Sequence, residues 1–259
     1  MEIFLQPDTW GALVTLTFLE IVLGIDNIIF ISIAANKLPE NQQKKATNIG
    51  LFLAMILRIA LLFGISLLIA MNSPFLNIDL SWLNAGVTGQ ALILFAGGIF
   101  LLYKSTKEIH HKVEGHLEDE TDGKPKKGYT LTQAIIQITL INIVFSFDSI
   151  LTAVGMTNGI EGAMIIMITS VVLSMVIMML FANPVGKFVS KHPTIQMLGL
   201  SFLILIGFML IAEGAHLSHA TLFGEEIGSI PKAYLYFAIT FSLVVEMLNM
   251  KMRGNSKKH

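Results

Sequence analysis

No cysteine occurs in the 259 residues. A disulfide framework and a thiolate metal site are both excluded, and with them the soft-ligand chemistry of copper and iron–sulfur centres. Charge is scarce as well: Asp, Glu, Lys and Arg make up 14% of the chain against 54% for hydrophobic residues, and the mean hydropathy is +0.71. That balance lies far from what a soluble domain of this length carries, so the chain reads as a membrane protein. Basic residues are missing ahead of the first apolar run, where Met1 to Thr9 holds only Glu2 and Asp8 as charged residues. Without a basic flank or a small-residue cleavage site, that run is expected to be an uncleaved span and not a signal peptide.

What is present in quantity is long apolar runs. They cover about Trp10 to Ala35, Ala46 to Met71, Thr88 to Tyr103, Leu131 to Met156, Ala163 to Phe181, Ile195 to Ala212 and Ala233 to Met250. A β-barrel would show short alternating segments; these runs are uninterrupted, so seven transmembrane helices and an all-α polytopic fold are expected.

The cations alternate along this series. Lys37, Lys44 and Lys45 follow the first run, and Lys104, Lys107, Lys112, Lys124, Lys126 and Lys127 follow the third. Lys187 and Lys191 fall in the loop after the fifth, and Lys251, Arg253, Lys257 and Lys258 follow the seventh. The intervening connections carry no Lys or Arg, apart from Lys232 at the start of the last run. The positive-inside rule then puts the N-terminus outside and the C-terminus in the cytoplasm, with the cell membrane as the location. Arg58 stands apart, inside the second run.

The polar stretch "KSTKEIHHKVEGHLEDETDGKPKKGYT" divides the chain into three helices and then four. Set over one another, "TFLEIVLGIDNII" and "TLINIVFSFDSIL" match Thr17 with Thr139, Ile21 with Ile143, Val22 with Val144, Asp26 with Asp148 and Ile28 with Ile150. Glu20 falls over Asn142, Gly24 over Ser146 and Asn27 over Ser149; a weaker match of "FAGGIFLLYK" with "LIGFMLIAE" sets Lys104 opposite Glu213. Three helices per unit make the second unit inverted relative to the first, an architecture transporters use to build a midplane site. The expected organisation is a first three-helix repeat over 1–104 and a flexible cytoplasmic loop over 105–130. A second, inverted repeat follows over 131–213, then a seventh helix with a basic cytoplasmic tail over 214–259.

At about 100° per residue, Glu20, Gly24 and Asn27 share one helix face while Asp26 points elsewhere. Unwinding at Gly24-Ile25 and at Ser146-Phe147 would turn Asp26 and Asp148 inward and free carbonyl oxygens, so a break is expected in both helices.

A carboxylate in the bilayer core is costly unless paired, protonated or bound to a cation. Glu20, Asp26 and Asp148, with the amides of Asn27 and Asn142 and the hydroxyls of Ser146 and Ser149, form an all-oxygen set suited to Mn²⁺, Mg²⁺ or Ca²⁺. Crowded carboxylates without a metal favour protonation, which couples cation binding to proton release. Glu20 or Asp148 could instead neutralise Arg58. Asn142, Ser146 and Ser149 alone would read as interhelical hydrogen-bond glue. Lys104, Glu213 and Glu246 suit ion pairing or gating, Glu246 equally an interfacial anchor. His110, His111 and His116 with the acidic run after them could collect metal loosely, though a solvated charged loop explains them more simply.

"EIVLGIDNIIFISI" and "NIVFSFDSILTAVGM", with "GGIFLLYKSTKEIHH" and the terminal "SLVVEMLNM", resemble the signatures of the TerC family of integral membrane proteins. The resemblance implies a Mn²⁺ exporter related to LysE-type exporters, with Glu20, Asp26, Asn27, Asn142, Asp148 and Ser149 at the metal site. It also implies contact with the secretion machinery, since some members supply Mn²⁺ to exported enzymes. Longer relatives append cytoplasmic nucleotide-binding-type domains; this chain closes nine residues after Met250, so their regulation is expected to be absent.

The expected function is therefore metal export by proton exchange across the lipid bilayer. Mn²⁺ is then a substrate and no cofactor is expected, nor an enzyme activity or a nucleic-acid partner. An intramembrane aspartyl hydrolase would need only Asp26, Asp148 and a water, leaving Glu20, Asn27, Asn142 and Ser149 surplus. A membrane assembly partner with a structural polar core would tolerate Asn at both aspartates.

Overall fold

The computed structural model describes residues 7–64, 71, 73–118, 130–157, 160 and 162–256. Seven long helices lie among them: α1 (Pro7–Ala35), α2 (Glu40–Phe63), α3 (Gly89–Glu118), α4 (Leu131–Thr157), α5 (Ala163–Lys191), α6 (Pro193–Leu217) and α7 (Lys232–Ser256). Four short strands interrupt them: β1 (Leu76–Asp79) and β2 (Leu83–Val87) before α3, β3 (Thr221–Leu222) and β4 (Glu225–Glu226) before α7. Helices α2 to α7 are each long and apolar enough to cross a bilayer, and α1 adds the apolar stretch Thr9–Ile21. The chain is a polytopic, mostly helical membrane protein. Its surface fits that solvent: Phe18, Phe52, Phe63, Leu180 and Phe237 face outward, while Glu20, Arg58, Asn142, Ser146 and Ser149 are buried.

The chain folds as two compact units, and each draws on both halves of the sequence. The first holds Met1–Ile69 and Pro125–Lys191, and the second Ala70–Lys124 and His192–His259. In the first, α1 packs on α5 and α2 on α4. Gly24 admits the Met178 thioether against the α1 backbone, where a Cβ would collide with Met178 Sδ. Eight residues further along both helices, a Cβ on Gly186 would stand 2.9 Å from Ser32 Oγ. Contacts that advance together mean that α1 and α5 run parallel. Gly50 against Ile138 and Arg58 against Ser149 make α2 and α4 parallel in the same way. Because α1 and α2 form a hairpin over a four-residue connection, α1 and α4 are antiparallel; Phe30 and Phe145 stack between them at 6.3 Å.

In the second unit α3 packs on α6, and the contact is reciprocal. A Cβ on Gly98 would lie 2.7 Å from the Gly207 carbonyl oxygen, and one on Gly207 would lie 3.0 Å from that of Gly98. A Cβ on Gly214 would lie 3.1 Å from Ala91 O, so the two helices run antiparallel. The register that sets Lys104 opposite Glu213 also sets Gly98 opposite Gly207: the helices touch at counterpart residues.

The strands form one antiparallel sheet in the order β1-β2-β3-β4, with Leu83 paired to Leu222 and Asn84 to Thr221. The β3–β4 turn is closed by Phe223 at φ 54 and Gly224 at φ 86, the left-handed pair that a two-residue hairpin demands. This sheet joins the connection before α3 to the one after α6, both of which lack Lys and Arg, so the two lie on one side. Near the other ends of these helices Lys112 Nζ donates to Gln196 Oε1.

Two sequence expectations are corrected here. The loop expected over 105–130 is helical as far as Glu118, because Lys104–Glu108 (3.3 Å) and His110–Glu114 (3.2 Å) are i,i+4 pairs that carry α3 onward. His110 and His111 are on that helix; residues 119–129, which include Asp119 and Glu120, lie outside those described, as does the His116 side chain. Lys187 and Lys191 are not in a loop but on the last turns of α5, which runs through Pro184 and is followed after His192 by Pro193 at the first turn of α6.

Candidate functional site

The α1–α2 hairpin brings Glu20 beside Arg58, and the parallel packing of α4 on α2 adds Ser149. Arg58 Nη2 donates to Glu20 Oε1 and to Ser149 Oγ. Glu20 and Arg58 are 4% and 5% exposed, so a full charge of each sign is held inside the helix cluster. The two groups cancel in charge. Glu20 Oε2 is in ion-pair reach of Nη2, yet neither it nor Arg58 Nε has a hydrogen-bond partner among the described residues.

Helix α4 supplies the facing surface. Asn142 Nδ2 donates to Ile138 O at 3.1 Å, Ser146 Oγ to Asn142 O at 2.6 Å, and Ser149 Oγ to Ser146 O at 3.0 Å. These bonds run back onto their own helix, and they correct the expected breaks. Both α1 and α4 are continuous through Gly24-Ile25 and Ser146-Phe147. Polar side chains here cover helix carbonyls that remain within the ladder, and Gly24 provides room for Met178 in place of a point of unwinding.

Of the expected ligands, Glu20, Asn142 and Ser149 share the first unit, with Glu20 and Ser149 joined through Arg58. The backbones of Asp26 and Asn27 lie on α1 and that of Asp148 on α4, but their side chains lie outside the described residues. Among the described residues no three His, Asp or Glu side chains converge as a metal ion would need. Lys104, Glu213 and Glu246 belong to the second unit: Lys104 pairs with Glu108, Glu213 is half-buried near the end of α6, and Glu246 accepts from Asn249 Nδ2 at 3.5 Å. Two hydroxyls that the sequence reading left out of the site, Thr17 Oγ1 and Thr139 Oγ1, are buried without a partner among the described residues. Their match across the repeat was the available signal.

The family model for "Integral membrane protein TerC family" matches residues 5–259. The chain belongs to the TerC family. It is 42% identical over 260 residues to the UPF0053 inner membrane protein YoaE of Escherichia coli K12, covering 100% of this chain and 46% of that protein. The UPF0053 protein of Haemophilus influenzae Rd is 42% identical over 248 residues, 96% of each chain. The UPF0053 inner membrane protein YgdQ of E. coli K12 is 42% identical over 245 residues, 95% of this chain and 94% of that one. The chain thus spans about half the length of YoaE and nearly all of the shorter two. No solved structure matches this TerC-family chain.

Proposed function

We propose that this protein exports a divalent metal cation, Mn²⁺ by preference, in exchange for protons, and that it is not an enzyme. The observation that carries the proposal is the buried Glu20–Arg58–Ser149 group on the same helices as Asp26 and Asp148. Ionisable groups at this depth are costly and mark ion pathways by default. Support for a transporter also comes from the helix directions: α3 and α6 oppose one another through counterpart glycines, and α1 opposes α4, as two inverted three-helix repeats require.

In this scheme Asp26, Asp148 and Glu20 supply charge, and Asn27, Asn142 and Ser149 supply neutral oxygens. Arg58 occupies Glu20 and Ser149 when no cation is bound, so an arriving M²⁺ must displace its guanidinium. Protons and M²⁺ then compete for the same carboxylates. In this scheme the N-terminus lies outside and the C-terminus in the cytoplasm of a cell membrane, and delivery of metal to secreted enzymes would bring the secretion machinery as a partner.

A second scheme has one observation in its favour: Arg58 already neutralises Glu20, as a purely structural polar core in a membrane assembly partner would need. The deciding experiment is thermal stabilisation of the purified protein by Mn²⁺, Mg²⁺, Ca²⁺ and Zn²⁺, repeated on Asp26→Asn and Asp148→Asn. Stabilisation selective for Mn²⁺ and lost in both variants supports export. Equal responses of parent and variants to every cation favour the structural core.

A further inference from the structure

Threonine and serine hydroxyls buried in helices ordinarily turn back to a carbonyl three or four residues earlier, a bond their rotamers allow at little cost. This protein follows that habit: Ser32 donates to Ile28 O at 2.6 Å, Ser105 to Leu101 O at 2.5 Å, Ser146 to Asn142 O at 2.6 Å and Thr157 to Ala153 O at 2.9 Å. Thr17 and Thr139 do not. Their hydroxyl oxygens are buried and have no hydrogen-bond partner among the described residues. Of the other atoms unpartnered among the described residues, those of Thr9, Asn36, His216 and Ser218 sit at helix ends, while Asn48 Oδ1 and Glu246 Oε1 belong to an amide and a carboxylate inside α2 and α7 and not to hydroxyls. Thr17 and Thr139 lie well inside α1 and α4.

Their placement is systematic. Thr17 is three residues before Glu20, Thr139 is three before Asn142, and all four are counterparts in the repeat. Residues three apart share a helix face, so each hydroxyl lies about 4.5 Å along the axis from a member of the candidate site. Because α1 and α4 are antiparallel, the displacement from the site is in opposite directions: Thr17 toward one membrane face, Thr139 toward the other.

We infer that Thr17 and Thr139 are a matched pair of pathway residues, one on each side of the site, whose hydroxyls exchange with the hydration shell of the transported divalent cation. Each hydroxyl, not bonded to its own helix, presents oxygen to a passing hydrated ion, as a two-sided exchanger with inverted halves needs at both approaches. This rests on the cation-transport function proposed above and names residues outside its ligand set.

The test is Mn²⁺ flux into liposomes containing the full chain under a proton gradient, with Thr17→Val, Thr139→Val and the corresponding Ser variants, alongside melting temperatures. Each Val variant should lose roughly three- to tenfold in flux, the equivalent of one hydrogen bond, at an unchanged or raised melting temperature. The Ser variants should retain parental flux. Val variants that transport like the parent overturn the inference, and so do Val variants that fail to fold, since an unpartnered hydroxyl would then be holding the structure. A parent that carries no divalent cation removes the transport function itself, and that is read from parental vesicles before any variant is made.

Discussion

Arg58 and Glu20 are paired across the α1–α2 hairpin, 38 residues apart in sequence and with 5% and 4% of their surfaces exposed. A guanidinium and a carboxylate at this depth each depend on the other, because neither has water to fall back on. The same guanidinium reaches Ser149 on α4, so one side chain connects three helices of the first unit.

Breaking that pair from either side should be expensive. Arg58→Gln and Glu20→Gln are each expected to lower stability by about 3–5 kcal/mol, because each leaves an uncompensated buried charge. The double variant should cost clearly less than the sum. Unfolding in detergent, analysed as a double-mutant cycle, measures the coupling, and additive losses would show that the two charges are not partners.

The reciprocal glycine contact makes a second prediction. Gly98→Ala and Gly207→Ala push a methyl group into the opposing backbone, and each should destabilise by about 1–3 kcal/mol. Gly11, with nothing within 4 Å of a Cβ, is the control. Gly11→Ala should be neutral or stabilise by about 0.5–1 kcal/mol. Melting curves of the three single variants suffice, and equal effects would mean that α3 and α6 do not meet there.

Much of this was legible in the chain. Uninterrupted apolar runs marked the helices, and the alternation of lysines agrees with the sheet that unites two of the lysine-free connections. The strands themselves were not legible: two-residue and four-residue strands such as Thr221–Leu222 and Leu76–Asp79 are too short for a periodic signal. Helix α3 outran its apolar run because i,i+4 ion pairs extend a helix into water without hydrophobic residues. Interleaving of the two units also leaves no trace in sequence order. At the site, the Arg58–Glu20 pairing stood among the alternatives, and the hairpin geometry brings those two together; the other alternative, Asp148, has its side chain outside the described residues. The breaks at Gly24 and Ser146 were inferred from residue type. A glycine that makes room for a methionine and a serine that bonds its own helix have the same composition as a broken helix.

Absence of cysteine makes sidedness easy to measure. With single substitutions in this background, Asn77→Cys on β1 should react with a membrane-impermeant maleimide added outside intact cells. His111→Cys on α3 should react only after the membrane is opened. Leu83→Cys with Leu222→Cys should cross-link on oxidation, since the two are direct partners across β2 and β3. The opposite labelling pattern would reverse the orientation, and no cross-link would remove the sheet.

The interleaving of the two units bears on how the protein is made. Helix α1 ends at Ala35 and its packing partner α5 begins at Ala163, so a ribosome delivers the first hairpin to the membrane long before α4 and α5 exist. During that interval Ser149 is not available to Arg58. Glu20 is, because it belongs to the same hairpin. The charges of Glu20 and Arg58 can therefore cancel one another within the first hairpin as it enters lipid, before the second half of the chain arrives to complete the cluster.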